Sequence, residues 1–153
     1  MKLQDILTLD CTLCAVPASS KKRIFDTICE TAAKHITELN QHELLESLMK
    51  REQMGSTGIG NGIAIPHGRL SETNHVVAVL LTTQEPIGFD AIDNRPVDIF
   101  VALFVPENAC KDHLSTLQSI AQLFSDKQTS KQVRKASNSD ELFKIVQEAA
   151  NII

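Results

Sequence analysis

Two stretches of this chain, HVVAVLLTT from His75 to Thr83 and VDIFVALFV from Val97 to Val105, are apolar at nearly every position. Both are rich in β-branched residues and are of strand length, so they read as β-strands. A strand that is apolar on both of its alternating sides has to be covered on both faces. The two runs therefore call for a sheet with helices above and below it, and the rest of the sequence must supply those helices.

It does so on both sides of the strands. Ser19 or Ser20 can cap a helix in which Ile24, Ile28, Ala32 and Ile36 recur every four residues, with an expected end near Asn40. A second helix, from Gln41 to Glu52, places Leu44, Leu48 and Arg51 on one face. Beyond Pro106, His113, Leu117, Ile120 and Phe124 share a helix face, and shorter helical patterns cover Lys127 to Ala136 and Asp140 to Ala150. CTLCAV and GIAI read as short strands, the latter stopping at Pro66. Pro86, Gly88 and the Asp93-Asn94-Arg95-Pro96 sequence supply turn chemistry between the long runs. With 153 residues, 42% of them hydrophobic, the expectation is one α/β domain over residues 1–153, a layered β-sheet flanked by helices.

The formal charge of −4 and the absence of Trp and Tyr argue against nucleic-acid binding. No segment has the roughly 18 apolar residues of a membrane span, and MKLQDILTLD lacks a signal-peptide core, so no membrane insertion and a cytoplasmic location are expected. Four cysteines, Cys11, Cys14, Cys29 and Cys110, include one C-x-x-C pair. In a strand, positions three apart point to opposite faces, so the pair reads as ordinary reduced thiols, with no zinc or other metal site.

Five of the six glycines lie between Gly55 and Gly68, in the run MGSTGIGNGIAIPHGR, which ends beside His67. Glycine serves positive φ or close approach, so the run reads as a loop built to receive a ligand. His67 at its edge can be a nucleophile, a general base, a metal ligand or a turn residue. Attack on phosphorus needs a neutral ring nitrogen and donors for the phosphoryl oxygens, and Gly68 with the small residues before it leaves room and free N–H groups for them. His113 heads an inward-facing helix stripe; it reads either as a partner for His67 or a phosphoryl oxygen, or as a buried ring bonded to backbone. Arg51, one loop from His67, seeks either an anion or an ion pair with Glu52 or another acid. His35, His42 and His75 sit at element boundaries with no metal-ligand spacing. The run lacks the G-x-x-x-x-G-K-[ST] phosphate loop and does not precede a helix, which excludes the usual nucleotide fingerprints, and Ser56 lacks a nucleophile elbow.

REQMGSTGIGNGIAIPHGR, PIGFDAIDNRPVDIFVALFVP and HLSTL together resemble the fructose/mannitol type enzyme IIA proteins of the bacterial phosphoenolpyruvate-dependent phosphotransferase system, most strongly their nitrogen-regulatory branch. The likeness runs from about Leu3 to the last helix. It implies a central mixed sheet flanked by helices, and a phosphotransferase component with no cofactor. It further implies that His67 accepts a phosphoryl group on Nε2 from an HPr-like phosphohistidine carrier, with His113 as the neighbouring second histidine and Arg51 holding phosphate or docking the donor. Arg69 stands where the family often has lysine and keeps the positive charge. FDAIDNRPVD and a chain ending at Ile153 without a linker point to the regulatory branch, with targets such as potassium-transport regulators; the alternative is a sugar-uptake enzyme IIA that passes phosphate to a IIB domain. A binding module with an idle histidine and a metal-dependent hydrolase are the other classes to be tested.

Overall fold

The computed structural model describes residues 2–36, 39–71 and 73–152, and the side chains of 109–112 and 152, Cys110 among them, lie outside that description. Six strands form one mixed sheet: β1 Thr12–Val16, β2 Gly58–Gly60, β3 Ile63–Ala64, β4 His67–Leu70, β5 Val77–Ile87 and β6 Val97–Pro106. The helices are α1 Leu3–Ile6, α2 Lys21–Ala33, α3 Gln41–Glu52, α4 Cys110–Ser125, α5 Lys127–Lys135 and α6 Ser139–Ile152. The sheet runs β1-β5-β6-β3-β2, and β4 also pairs with β6. β5 and β6 are antiparallel, whereas β1 is parallel to β5, and β3 and β4 are parallel to β6.

The central strands divide their side chains by alternation, as the two apolar runs require. Val77, Val79 and Leu81 of β5, with Phe100, Ala102 and Phe104 of β6, pack on one side against Ile24, Phe25, Ile28, Leu44 and Leu48 of α2 and α3. Ala78 and Leu80, with Ile99, Val101, Leu103 and Val105, pack on the other side with Ile120, Phe124, Val133, Leu142 and Val146. On the first side Phe89 bridges Phe25 and Phe100, edge to face, at centroid distances of 5.8 and 5.4 Å.

The helix boundaries follow local capping chemistry. Ser20 accepts from the Arg23 N–H at the start of α2. That helix ends at Ala33 rather than near Asn40, its C-cap Lys34 N–H turning back to Thr31 and Ala32 carbonyls. Asn40 belongs to the next helix: its side chain accepts from Glu43 N–H at 2.9 Å while Glu43 returns to the Asn40 N–H, a capping box that sets the start of α3 at Gln41. Ile36 reaches the core without being helical. β5 begins two residues after His75 and continues through Pro86 to Ile87, correcting the turn expected there. Its register with β6 is interrupted between Thr82 and Ile87, so the missing Pro86 N–H costs the β5–β6 ladder no rung.

Cys11 and Cys14 go to opposite cores, and Cys11, Cys14 and Cys29 are all free. Burial raises the Cys11 thiol, and burial, with Asp26 nearby, pushes Cys29 up to about 12, which leaves both as packing residues rather than reactive thiolates.

Candidate active site

The glycine-rich run is a hairpin and a strand, not an open loop. Asn61 and Gly62 join β2 to β3 with φ of 58° and 80°, the two left-handed residues of a type I′ turn. The Asn-Gly dipeptide was the sequence signal for this hairpin. The chain then passes Ile65 and Pro66 and re-enters the sheet at His67, the first residue of β4. β3 and β4 keep one register along β6, Ala64 opposite Phe100 and His67 opposite Leu103. Gly68 is there for close approach, but of a helix rather than a phosphate. A Cβ at this position would collide with Ser47 of α3, meeting its Oγ first and its Cβ at 2.9 Å.

This close packing brings the end of α3 to the histidine. Arg51, one helical turn after Ser47, donates from Nε to His67 Nε2 at 3.2 Å and from Nη1 to the Gly55 carbonyl at 2.8 Å. His67 Nδ1 lies 2.9 Å from the Ile65 carbonyl. A carbonyl oxygen can only accept and a guanidinium can only donate, so the proton sits on Nδ1 and the lone pair on Nε2. Two independent contacts thus select one tautomer. By strand alternation His67 falls on the side of Ile63, Ile65 and Leu103, which the C-terminal helices cover, whereas Arg51 comes from the opposite layer. Arginine and histidine therefore meet around the rim of an edge strand.

They open into a cavity of about 370 Å³ lined also by Ser47, Lys50, Arg69 and Glu107. Three cations and one carboxylate around a half-buried imidazole form a setting for an anion. Burial lowers the His67 pKa, the positive charges of Arg51 and Arg69 lower it further, and the Ile65 carbonyl and Glu52 oppose them. The ring is thus held neutral to lower pH than a free imidazole, whose pKa is about 6.5. Because the folded form binds fewer protons than the unfolded chain, the associated stabilisation is present above that value and fades as pH falls through the lowered one. Titration of the ring by NMR is expected to give a midpoint below the ordinary value. Arg51→Ala should move it upward, and a midpoint at or above the free value in the native protein would contradict this electrostatic account.

Glu52 does not pair with its neighbour Arg51. It is nearly buried, meets Lys21 Nζ at 2.7 Å, and accepts from the Thr57 N–H and, at 2.7 Å, from the Thr57 hydroxyl. The Lys21 ammonium also lies 4.2 Å from the centre of the Phe89 ring. Among the described residues Arg51 forms no ion pair, so the expected local pair gives way to a contact with His67. The Glu52 carboxylate clamps the segment leaving α3. Glu52→Gln keeps its shape but strips the charge from this network, and it should cost about 2–3 kcal/mol in urea unfolding, with Lys21 partly able to rehydrate. A change within experimental error would show that the clamp is dispensable.

His113 is 5% exposed on α4, and its Nδ1 has no hydrogen-bond partner among the described residues. It is bonded to neither His67 nor Arg51, and it does not line their cavity. α4 does pack on the side of the sheet to which His67 belongs. His35 and His42 lie at the end of α2 and the start of α3, and His42 pairs with Glu46 at 3.0 Å. His75 precedes β5. No group of three or more His, Cys, Asp or Glu placed to hold a metal occurs among the described residues, and none of their helices is long and apolar enough to cross a membrane. Sequence reasoning missed Ser47, Lys50 and Glu107 as cavity residues. Lys50 was signalled only by its place beside Arg51 in the MKRE segment.

A histidine with a fixed tautomer on an edge strand, beside an arginine from a covering helix, has the neutral ring nitrogen and the cation that attack on a phosphoryl group needs. The chain matches the family described as phosphoenolpyruvate-dependent sugar phosphotransferase system, EIIA 2, over residues 5–149, and it belongs to that family. It is 45% identical over 152 residues to the nitrogen regulatory protein of Klebsiella oxytoca, a match covering 99% of this chain and 93% of that one. The crystal structure of nitrogen regulatory protein IIA-Ntr from Neisseria meningitidis superposes with a TM-score of 0.89 at 35% identity, covering 94% and 98% of the two chains. Mannitol enzyme IIA from Escherichia coli shares the fold, with a TM-score of 0.76 at 17% identity over 92% and 98%.

Proposed function

We propose that the protein is a phosphoryl carrier of a nitrogen-regulatory phosphotransferase system, with His67 as the acceptor. The His67 Nε2 lone pair attacks the phosphorus of a phosphohistidine on an HPr-like donor; the new N–P bond forms as the donor's N–P bond breaks, and the donor ring leaves neutral. The single observation that carries this reading is the Nδ1 contact to the Ile65 carbonyl, which leaves Nε2 as the nucleophilic nitrogen. Arg51 then exchanges its bond to the ring for one to a phosphoryl oxygen, with Lys50 and Arg69 adding positive charge. The family resemblance gives His113 the role of a second imidazole near the phosphoryl group, although it lies outside the His67 cavity here. His113→Ala should slow transfer or shorten the adduct's lifetime, and wild-type kinetics would remove it from the site.

The phosphoryl oxygens place about two negative charges beside a ring that keeps its Nδ1 proton, a net gain of about one negative charge on the protein's rim, which changes the partners that can dock there without refolding the domain. Such partners include cytoplasmic regulators of potassium transport. Identity of 45% to a nitrogen regulatory protein, against 17% to mannitol enzyme IIA, supports regulation over sugar uptake as the destination of the signal. Incubating the protein with phosphoenolpyruvate, an enzyme I type kinase and the HPr-like carrier should produce one phosphoryl group per chain, lost in acid, stable in alkali and mapped to His67 by mass spectrometry. No adduct, or an adduct mapped elsewhere, would overturn the assignment.

A further inference from the structure

A second basic recess lies at the far end of β6 from His67. Asp98 is five residues before Leu103, the partner of His67, which puts it about 17 Å away along the strand. A cavity of about 610 Å³ opens here between the tip of the β2–β3 hairpin and α5. Arg95, Lys127, Lys131, Arg134 and Lys135 line it, and Asp98 is the lone carboxylate among the lining residues. The charge is unusual for this chain: it carries −4 overall, yet the nine residues of α5, KQTSKQVRK, hold four cations and no acid.

α5 buries Thr129, Ser130 and Val133 and leaves its four cations exposed. Arg134 is already committed. It donates from Nε to both Asp98 oxygens at 3.0 and 2.9 Å and from Nη2 to the Asn61 carbonyl at 2.6 Å, and so pins the hairpin tip. The three lysines form no ion pair among the described residues, and Arg95 has only a 4.0 Å approach to Asp93. Pro86 and Pro96 add apolar surface to the lining. Exposed prolines beside a row of lysines suit a ligand with an apolar, planar body and a chain of phosphates.

We propose that this recess binds a nucleoside polyphosphate, its base on Pro86 and Pro96 and its phosphates along Lys127, Lys131 and Lys135. A recess of this volume fits a small molecule, where an acidic protein surface would need only a flat basic face. Isothermal titration calorimetry on the full chain with ATP, AMP, adenosine and inorganic triphosphate tests the assignment. ATP should bind saturably, and AMP, adenosine and triphosphate should each bind at least about tenfold more weakly. The double variant Lys131→Glu, Lys135→Glu should lose at least about tenfold in ATP affinity, while Arg51→Ala, in the other basic cavity, should change it by less than about twofold. The assignment is overturned by any of four results: no saturable ATP binding, triphosphate or adenosine binding as tightly as ATP, an unaffected double variant, or loss of ATP binding in Arg51→Ala. Binding of a polyglutamate peptide without ATP binding would make the face a protein-docking surface instead.

Discussion

His67→Ala is expected to abolish phosphoryl acceptance while leaving the domain folded. The ring is held by two hydrogen bonds, from Nδ1 to the Ile65 carbonyl and from Arg51 to Nε2. It is half-buried on an edge strand, at the rim of the sheet. Losing it should therefore cost only about 1 kcal/mol of stability. The loss of function should be complete, because no other described side chain offers a neutral ring nitrogen in that cavity. Phosphorylation of the variant by the same donor system, read by intact mass, checks the effect, and urea unfolding checks the fold. A variant that still gains an acid-labile group would move the acceptor to another residue. A variant that unfolds would be replaced by His67→Gln, which keeps polar atoms at the rim but has no nucleophilic ring.

Gly68→Ala should damage stability and transfer together, although the new methyl group touches neither the ring nor the arginine. It would lie 2.9 Å from Ser47 Cβ and 3.3 Å from the Ser47 carbonyl carbon, so the obstacle is helix backbone as well as a movable hydroxyl. Either α3 lifts from β4 or the edge strand shifts, at a cost of about 2–3 kcal/mol. Arg51 rides on the same helix, so its 3.2 Å contact with His67 should lengthen and the phosphoryl-transfer rate fall with it. Pairing the change with Ser47→Gly removes the colliding Oγ and Cβ and leaves only the 3.3 Å backbone contact, and unfolding of the two single variants and the double should show recovery beyond the additive sum. Additive losses, or a Gly68→Ala protein with native stability, would show that this close approach does not set the position of α3.

The sheet and its helical covers were legible because β5 and β6 carry apolar residues on both of their alternating sides, a pattern that only burial on two faces satisfies. α3 was legible through its leucine stripe, whereas Asn40, whose capping box with Glu43 sets its start, reads in sequence as the end of the preceding helix. The glycine run was harder. Glycine at a positive φ and glycine under a packed helix look alike in sequence, so Gly62 in a turn and Gly68 beneath Ser47 both read as a ligand loop. The Arg51–His67 contact joins residues from opposite sides of the sheet around its edge, and no local periodicity encodes such a meeting. His67 stood out at the edge of the glycine run and Arg51 at the end of an apolar stripe, and family resemblance gave them their roles, whereas Ser47 and Glu107 became visible only when tertiary packing placed them around the ring.

β4 is bonded to β6 on one side and to no other described strand, so the histidine stands on a rim. If His67 carries the phosphoryl group, a protein that delivers it and a protein that reads it both approach across this same narrow edge. On the proposed reading their visits exclude one another: an abundant reader delays recharging, and an abundant donor hides the signal from its readers. The output then depends on the relative concentrations of the two partners as well as on the fraction phosphorylated, so the chain compares two populations competing for one docking place.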